Sequence, residues 1–167
     1  MSRLEERSVT MVKKILLALI MMSGLAGAVA TPAAAAAKND PLVAMFVWWN
    51  SAYKQQDGFT TEAFAKYFTP DAIMRINGRD SAKGPTDLAA HFRKIQERTQ
   101  AVEIILPFID EFTNGKGDRI FTHHFVTATE DGKDSKERVM GYASIRNGKI
   151  SLINFVSVPV DETSATK

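Results

Sequence analysis

Histidines are the side chains of this chain best suited to acid–base chemistry, and its 167 residues contain three of them. A neutral imidazole can both give and take a proton near neutral pH. His124 lies in the run Ile120–Thr129, whose alternation is typical of a β-strand. If Ile120 points inward, His124 does too, because alternate strand residues face opposite sides. We predict His124 as the best candidate for a general base. A histidine held by hydrogen bonds to its neighbours and the opposite strand phase are the open alternatives.

The other two histidines do not indicate a metal site. His123 is adjacent to His124 and points to the other face of the strand, so the pair cannot bind one ion. His91 lies beside Phe92 on a predicted helix, where it reaches the rim of a pocket or is simply half exposed. The chain has no cysteine, which excludes thiolate ligands, disulfides and a cysteine nucleophile. We expect neither a metal nor a cofactor.

Aromatic and amide side chains complete the set of candidate ligand-binding residues. Trp49 and Tyr53 lie on the apolar stripe of a predicted first helix, and Tyr67 ends a second one. Such residues suit a flat, partly polar ligand, and plain core packing is the alternative. Asn154 is the one strongly polar residue in an apolar strand, and a buried amide needs partners. The predicted pocket residues are Trp49, Tyr53, Tyr67, His91, His124 and Asn154.

The elements that carry these residues have clear boundary signals in the first half of the chain. Asp40 followed by Pro41 predicts a helix start, with an N-cap acid and a proline in the first turn. Thr60 caps a second, short helix. A third helix is predicted from Gly84 to about Thr99, with its apolar residues at helical spacing.

Strand signals dominate the second half. A short strand, Asp71–Ile76, is turned back by Asn-Gly, and a second Asn-Gly at Asn147 is the strongest short-range signal for a hairpin. Four runs alternate in series, which predicts an antiparallel meander: Val102–Phe108, Ile120–Thr129, Arg138–Arg146 and Ile150–Val158. Pro107 places the first run at an edge. The sequence therefore predicts an α+β domain, with three helices on one face of a curved antiparallel sheet.

The N-terminal region has the pattern of an export signal. Residues 1–30 contain a basic pair, an apolar run and an Ala-x-Ala site that ends at Ala30, and a second cleavage position lies within Ala33–Ala37. The start is Met1 or Met11. We predict a signal peptide and a periplasmic or secreted protein, with no stable membrane span after the leader is removed. An uncleaved membrane anchor is the alternative.

Charge argues against nucleic acid as a partner. The net charge of +2 comes from the leader, because residues 31–167 contain 17 basic and 17 acidic side chains. No basic tract stands out there. We divide this part into an Ala-rich linker at 31–39, a folded domain at 40–160 and a polar tail at 161–167.

Five motifs in order resemble the nuclear transport factor 2-like superfamily, and the SnoaL-like branch is the most similar part of it. The resemblance covers Pro41–Val158. Its motifs lie at Trp49–Tyr53, Phe68–Ala72, Lys83–Phe92, Asp118–Ile120 and Asn147–Ile150. It implies a cone, made of a four-stranded meander and a short hairpin wrapped around three helices, with a pocket at the wide end.

This superfamily includes ketosteroid isomerases, polyketide cyclases, epoxide hydrolases, dehydratases and binding proteins, so the fold does not define an activity. The isomerase pattern implies two carboxylates, and Ile76 occupies the first of these positions. The face expected to carry the second is apolar, with Val139, Gly141, Ala143 and Ile145. We therefore do not expect isomerase chemistry of that kind.

Three functions are left open by these residues. The first is a domain that binds a small apolar or aromatic molecule. The second is an enzyme of the cyclase, isomerase or hydrolase type, with His124 as general base and Tyr53 or Asn154 as its polar partner. The third is a structural or protein-interaction module whose own side chains fill the cavity.

A homodimer is predicted from the outward-facing aromatic residues of the meander. In the preferred strand phase Phe121 and Phe125 point outward, and Tyr142 joins them from the next strand. Aromatic side chains on a wet sheet face indicate an interface. The resemblance also implies dimers through the outer face of the sheet.

Overall fold

The computed structural model describes residues 40–160, so the predicted leader, cleavage sites, linker and polar tail lie outside the described residues. The three helices are α1 (Pro41–Tyr53), α2 (Thr61–Tyr67) and α3 (Gly84–Gln96). The seven strands are β1 (Phe68–Ile76), β2 (Arg79–Lys83), β3 (Ala101–Ile104), β4 (Asp110–Thr113), β5 (Arg119–Glu130), β6 (Lys133–Arg146) and β7 (Lys149–Pro159). Among these residues, none of the helices has the length and hydropathy that crossing a membrane requires.

Local capping explains where the first two helices begin. The Oδ1 atom of Asp40 accepts hydrogen bonds from the backbone N–H of Leu42 at 2.6 Å and of Val43 at 3.1 Å. Two donors that the first turn of α1 would leave free are thereby satisfied. Thr60 does the same for α2 through the N–H of Ala63 at 3.1 Å. Both predicted helix starts are confirmed.

The sheet has the order β2-β1-β7-β6-β5-β3, and β4 also pairs with β5. Every pair is antiparallel except β1 with β7, which is parallel, so the sheet is mixed where an antiparallel one was predicted. Hairpins have local turn signals, but the contact of β1 with β7 joins segments about 80 residues apart, and only tertiary packing specifies it.

The first strand of the predicted meander is two strands. β3 and β4 both pair with β5, and Pro107 lies in the gap between them. Proline has no N–H to offer to the ladder, so it interrupts pairing at the sheet edge. The interruption leaves room for Phe108, whose ring packs at 5.8 Å from that of Phe46 in α1.

The sheet is curved and unclosed, and β6 comes very close to β7 at Gly141. Its φ is +151°, and a Cβ there would lie 2.2 Å from the carbonyl oxygen of Asn154 in β7. Only glycine allows this close approach of two backbones, and glycine inside a strand typically marks a tight bend.

Alternation along β5 defines the two faces of the sheet. Ile120, Thr122 and His124 are buried on the face toward the helices, which we call the inner face. Phe121 and His123 lie on the opposite, outer face and are partly exposed. This is the preferred phase of the sequence analysis. The predicted α+β cone with three helices on a curved sheet is confirmed, and it differs from the prediction in the mixed pairing and in the division of the first meander strand.

Candidate functional site: a ligand cavity

A cavity of about 360 Å³ lies between α1, α3 and the inner face of the sheet. Of its 19 lining residues, 14 are apolar or aromatic. The polar ones are Ser81, His91, His124, Glu137 and Ser157. A mostly apolar cavity with a few polar groups is the usual composition of a small-molecule site.

His124 lies deep in this cavity and is only 2% exposed. Its ring is surrounded by three phenyl rings, with centroid distances of 5.3 Å to Phe46, 5.3 Å to Phe108 and 5.5 Å to Phe155. Nδ1 lies 3.3 Å from Oγ1 of Thr122, two residues earlier on the same face. Nε2 is therefore the ring nitrogen available to a ligand.

The pKa of His124 is lowered to about 4, first by burial and then by the neighbouring His123. Burial in an apolar environment disfavours the imidazolium form. His124 is consequently neutral at physiological pH and can donate or accept a hydrogen bond. The same pKa makes it a weak proton acceptor, because general bases work best with a pKa near the working pH.

Trp49 and His91 also line the cavity. The Nε1–H of Trp49 is buried and has no hydrogen-bond partner within residues 40–160. His91 packs edge-on against Phe92, with ring centroids 5.2 Å apart. Its pKa is lowered by partial burial and then by the nearby cations Arg98 and Lys94. His91 is therefore a second neutral imidazole on the lining.

Both predicted tyrosines lie outside the cavity. The hydroxyl of Tyr53 donates to the backbone oxygen of Thr99 at 2.9 Å, which ties α1 to the segment that follows α3. Tyr67 stacks on Trp48 with centroids 5.0 Å apart. Tyr53 is buried and Tyr67 is partly buried, but helical spacing alone does not distinguish a side chain in the core from one at a cavity wall.

Asn154 lies on the outer face and is not among the residues that line the cavity. Its neighbours Ile153 and Phe155 are buried and line the cavity, and alternation directs Asn154 the other way. It pairs across the sheet with Tyr142. The two larger apolar residues decide the phase of β7, because burying them gains more than burying one amide.

Glu137 is a charged lining residue outside the set predicted from the sequence. It lies on the inner face of β6, two residues before Val139, and its carboxylate accepts a hydrogen bond from the hydroxyl of Ser157. The amide of Asn77 holds Ser157 by two backbone hydrogen bonds, of 2.9 and 3.2 Å. The predicted strand began at Arg138, whereas β6 begins at Lys133, and this boundary error hid the carboxylate.

The positions at which the isomerase pattern implies carboxylates are occupied by apolar residues. Ile76 and Val139 line the cavity, and Ala143 is fully buried. The carboxylate of the cavity, Glu137, lies two residues before Val139 in β6, nearer the rim of the cavity. Within the part of the chain that the structure describes, no group of three or more acidic or histidine side chains could hold a metal ion.

No family model matches the sequence, and no curated protein matches it. Solved structures do. An NTF2-like protein from Exiguobacterium sp. 255-15 is 18% identical, covers 72% of this chain and 98% of its own, and has a TM-score of 0.58. A putative polyketide cyclase from Xanthomonas campestris pv. campestris is 12% identical, with coverages of 67% and 88% and a TM-score of 0.50.

A third similar structure is TerC, co-crystallised with polyporic acid, at 12% identity, coverages of 74% and 94%, and a TM-score of 0.51. Identities this low show the fold and no activity. The motifs in the sequence and the likeness of the structures agree. The chain therefore has the nuclear transport factor 2-like fold that its sequence resembles.

Proposed function

We propose that this protein binds a small, largely apolar or aromatic molecule in the cavity, as a domain of the SnoaL-like type. The observation that carries the proposal is the cavity itself, about 360 Å³ in volume, with a neutral, buried imidazole among apolar walls. Ligand sites commonly have volumes of 300–1,000 Å³ and a few polar groups that orient the ligand. The complex of the structural neighbour TerC with polyporic acid supports a small-molecule ligand.

The alternative of a purely structural module is disfavoured by the same cavity. Phe46, Trp49 and Phe92 contribute their rings to its wall, yet the large volume between them and the sheet stays unfilled. Unfilled apolar volume destabilises a protein. A domain selected only for stability would have larger side chains at positions such as Val139.

Tryptophan fluorescence offers a direct test, because the chain has two tryptophans and only one lines the cavity. In Trp48→Phe, the remaining Trp49 reports on occupancy. Titration with phenylnaphthylamine, an uncharged apolar probe, should change Trp49 emission and saturate. Val139→Phe in the same background places a ring in the cavity beside His124 and should abolish the response while the circular dichroism spectrum is retained. An unchanged titration in Val139→Phe, or no response in Trp48→Phe, would refute the proposal.

The natural ligand can be sought in the same preparations. Native mass spectrometry of freshly purified protein should show an added mass that is lost on denaturation. Val139→Phe should lack this mass, which separates a cavity ligand from a surface contaminant.

The second candidate function is an enzyme of the cyclase, isomerase or hydrolase type, favoured by the position of His124 in the cavity. Its pKa of about 4 and the absence of Tyr53 from the cavity lining weaken this candidate. Activity from His124 as base would fall with acid along a titration near pH 4, and His124→Gln would abolish it. An activity that persists in His124→Gln would exclude the base role.

We further propose a homodimer through the outer face of the sheet. Three apolar residues are exposed there, Phe112 at 61%, Val156 at 53% and Met140 at 47%, and Met140 pairs directly with Val156. Phe112 and Tyr142 both pack on the ring of Phe121. Exposed apolar and aromatic residues of this kind on one sheet face favour association. The support is weaker at Phe125, because its ring is already covered by two cations, Lys136 and Arg138.

Export remains a proposal that rests on residues 1–30. Intact mass of the protein recovered from periplasm or medium should correspond to cleavage after Ala30 or within Ala33–Ala37. A recovered mass that includes the leader would refute export by a cleaved signal peptide.

A further inference from the structure

Among residues 40–160, Glu137 is the only one that lines the cavity and has a formal charge. The other polar lining residues are two serines and two histidines, and burial lowers the pKa of both histidines. No lysine or arginine contributes to the wall. Near neutral pH, the described lining therefore carries one negative charge in an otherwise apolar surface.

The position of this carboxylate is defined by the sheet. Glu137 pairs with Val126, and His124 lies two residues deeper on the same face of β5. At about 3.4 Å per residue, the two levels are roughly 7 Å apart. The apolar rings of Phe46 and Phe155 close the deep end around His124. A ligand would place an apolar body about two fused rings long at this depth and its opposite end at Glu137.

The hydrogen bond from Ser157 keeps the carboxylate of Glu137 at the cavity wall, and the two bonds from Asn77 fix the backbone of Ser157. This arrangement holds the charge in place before any ligand arrives. Glu137 is also exposed, so a cation that meets it keeps part of its hydration. The usual penalty for burying an ion pair is thereby reduced.

We propose that the cavity is selective for organic cations, namely amines with a compact apolar or aromatic body and an ammonium group that meets Glu137 at the rim. The proposal rests on the proposed binding function and specifies its ligand class. The faces of the aromatic lining residues, which are electron-rich, favour the same sign of charge. An anionic ligand of the same shape would be repelled by Glu137.

Two exposed cations near the rim would instead favour an anionic ligand. Lys94 and Arg98 lie close enough to His91 to lower its pKa, but neither lines the cavity. Their charges are in water, where screening weakens them. Selectivity for an anion is accordingly the outcome that would overturn the proposal.

Three probes with the same aromatic body separate these outcomes: naphthylmethylammonium, naphthylmethanol and naphthylacetate, titrated by calorimetry into the full chain near neutral pH. The ammonium probe should bind about tenfold more tightly than the alcohol, as expected for one charge pair in a partly hydrated site. The carboxylate probe should bind more weakly than the alcohol. High salt should reduce both differences.

Glu137→Gln keeps the shape and the partner of Ser157 but removes the charge, so it should equalise the three affinities and leave the alcohol unchanged. Glu103→Gln is the matched control, because Glu103 is an exposed carboxylate of β3 that does not line the cavity. It should retain the full preference.

Each result has a distinct meaning. Equal affinities for the three probes, tightest binding of the carboxylate, or an unchanged preference in Glu137→Gln would overturn the proposed selectivity while leaving the binding function intact. The same holds if phenylnaphthylamine binds and all three probes fail. If phenylnaphthylamine fails as well, the proposed binding function itself is refuted.

Discussion

His124→Phe isolates the thermodynamic consequence of burying an imidazole among three phenyl rings. The native pKa of about 4 lies below the unfolded value of 6.5. Above pH 6.5 both states are neutral at this residue and it adds no pH dependence. As pH falls below 6.5, His124 becomes protonated in the unfolded chain but stays neutral in the folded protein. The free energy of unfolding therefore decreases until about pH 4.

The size of the effect follows from the difference between the two pKa values. A difference of roughly 2.5 units, at about 1.4 kcal/mol per unit, gives a loss of about 3 kcal/mol between neutral pH and pH 4. Phenylalanine cannot titrate, so His124→Phe should lack this loss. At neutral pH the two proteins should differ by about 1 kcal/mol or less, because the contact with Thr122 is long, at 3.3 Å.

Urea denaturation of both proteins at several values between pH 7.5 and about pH 4 measures the prediction. The free-energy difference between them should change by about 3 kcal/mol in favour of the mutant as pH falls. His123→Gln is the control: burial, the larger cause of the shift, is untouched, so most of the acid sensitivity should persist. If the difference in free energy of unfolding between the two proteins does not vary with pH, His124 is not held neutral by its three phenylalanine neighbours.

Three other perturbations test the fold, a second titrating group and the dimer. Gly141→Ala should lower the free energy of unfolding in urea by roughly 1–3 kcal/mol, because its Cβ would meet a backbone oxygen, whereas Gly115→Ala, with open space around it, should not. The pKa of Glu111 is raised to about 7, first by burial and then by its hydrogen bond with Asp40. The stability that this group contributes is therefore fully present below pH 4.5 and is lost as pH rises through 7. In thermal melts, Glu111→Gln should remove that loss. Phe121→Glu should yield a monomer by light scattering, and an unchanged dimer would place the interface elsewhere.

The parts of the fold that could be predicted from the sequence are those with local causes. Asp40 and Thr60 cap helices within four residues, and the turn after Asn147 joins two strands directly. The phase of β5 was predictable because its apolar residues alternate. The parallel contact of β1 with β7 has no such local signal, since it joins two distant segments whose own patterns are equally compatible with other partners.

The candidate site was less predictable, and three residues show why. His124 was found because a histidine in an alternating strand is conspicuous. The polarity of Asn154 suggested a pocket role, but its two larger apolar neighbours, Ile153 and Phe155, line the cavity instead. Glu137 was missed because the predicted strand began at Arg138, five residues after the true start of β6, and sequence signals define strand boundaries only to within a few residues. Cavity residues are selected for a ligand, so their patterns depart from those of an ordinary core.

The unfilled cavity lowers the stability of the ligand-free protein but provides the space that a ligand needs. Filling an apolar space normally stabilises a protein, by about 20 cal/mol for each Å³ of void removed. Val139 is buried, lines the cavity and faces open volume. Val139→Phe should therefore raise the melting temperature of the ligand-free protein while it abolishes probe binding, and a saturating ligand should stabilise the wild type and leave the mutant unaffected. A void retained at the expense of stability implies selection for an occupant. If Val139→Phe instead destabilised the ligand-free protein, the space would be needed for packing, and the argument from cavity to ligand would fail.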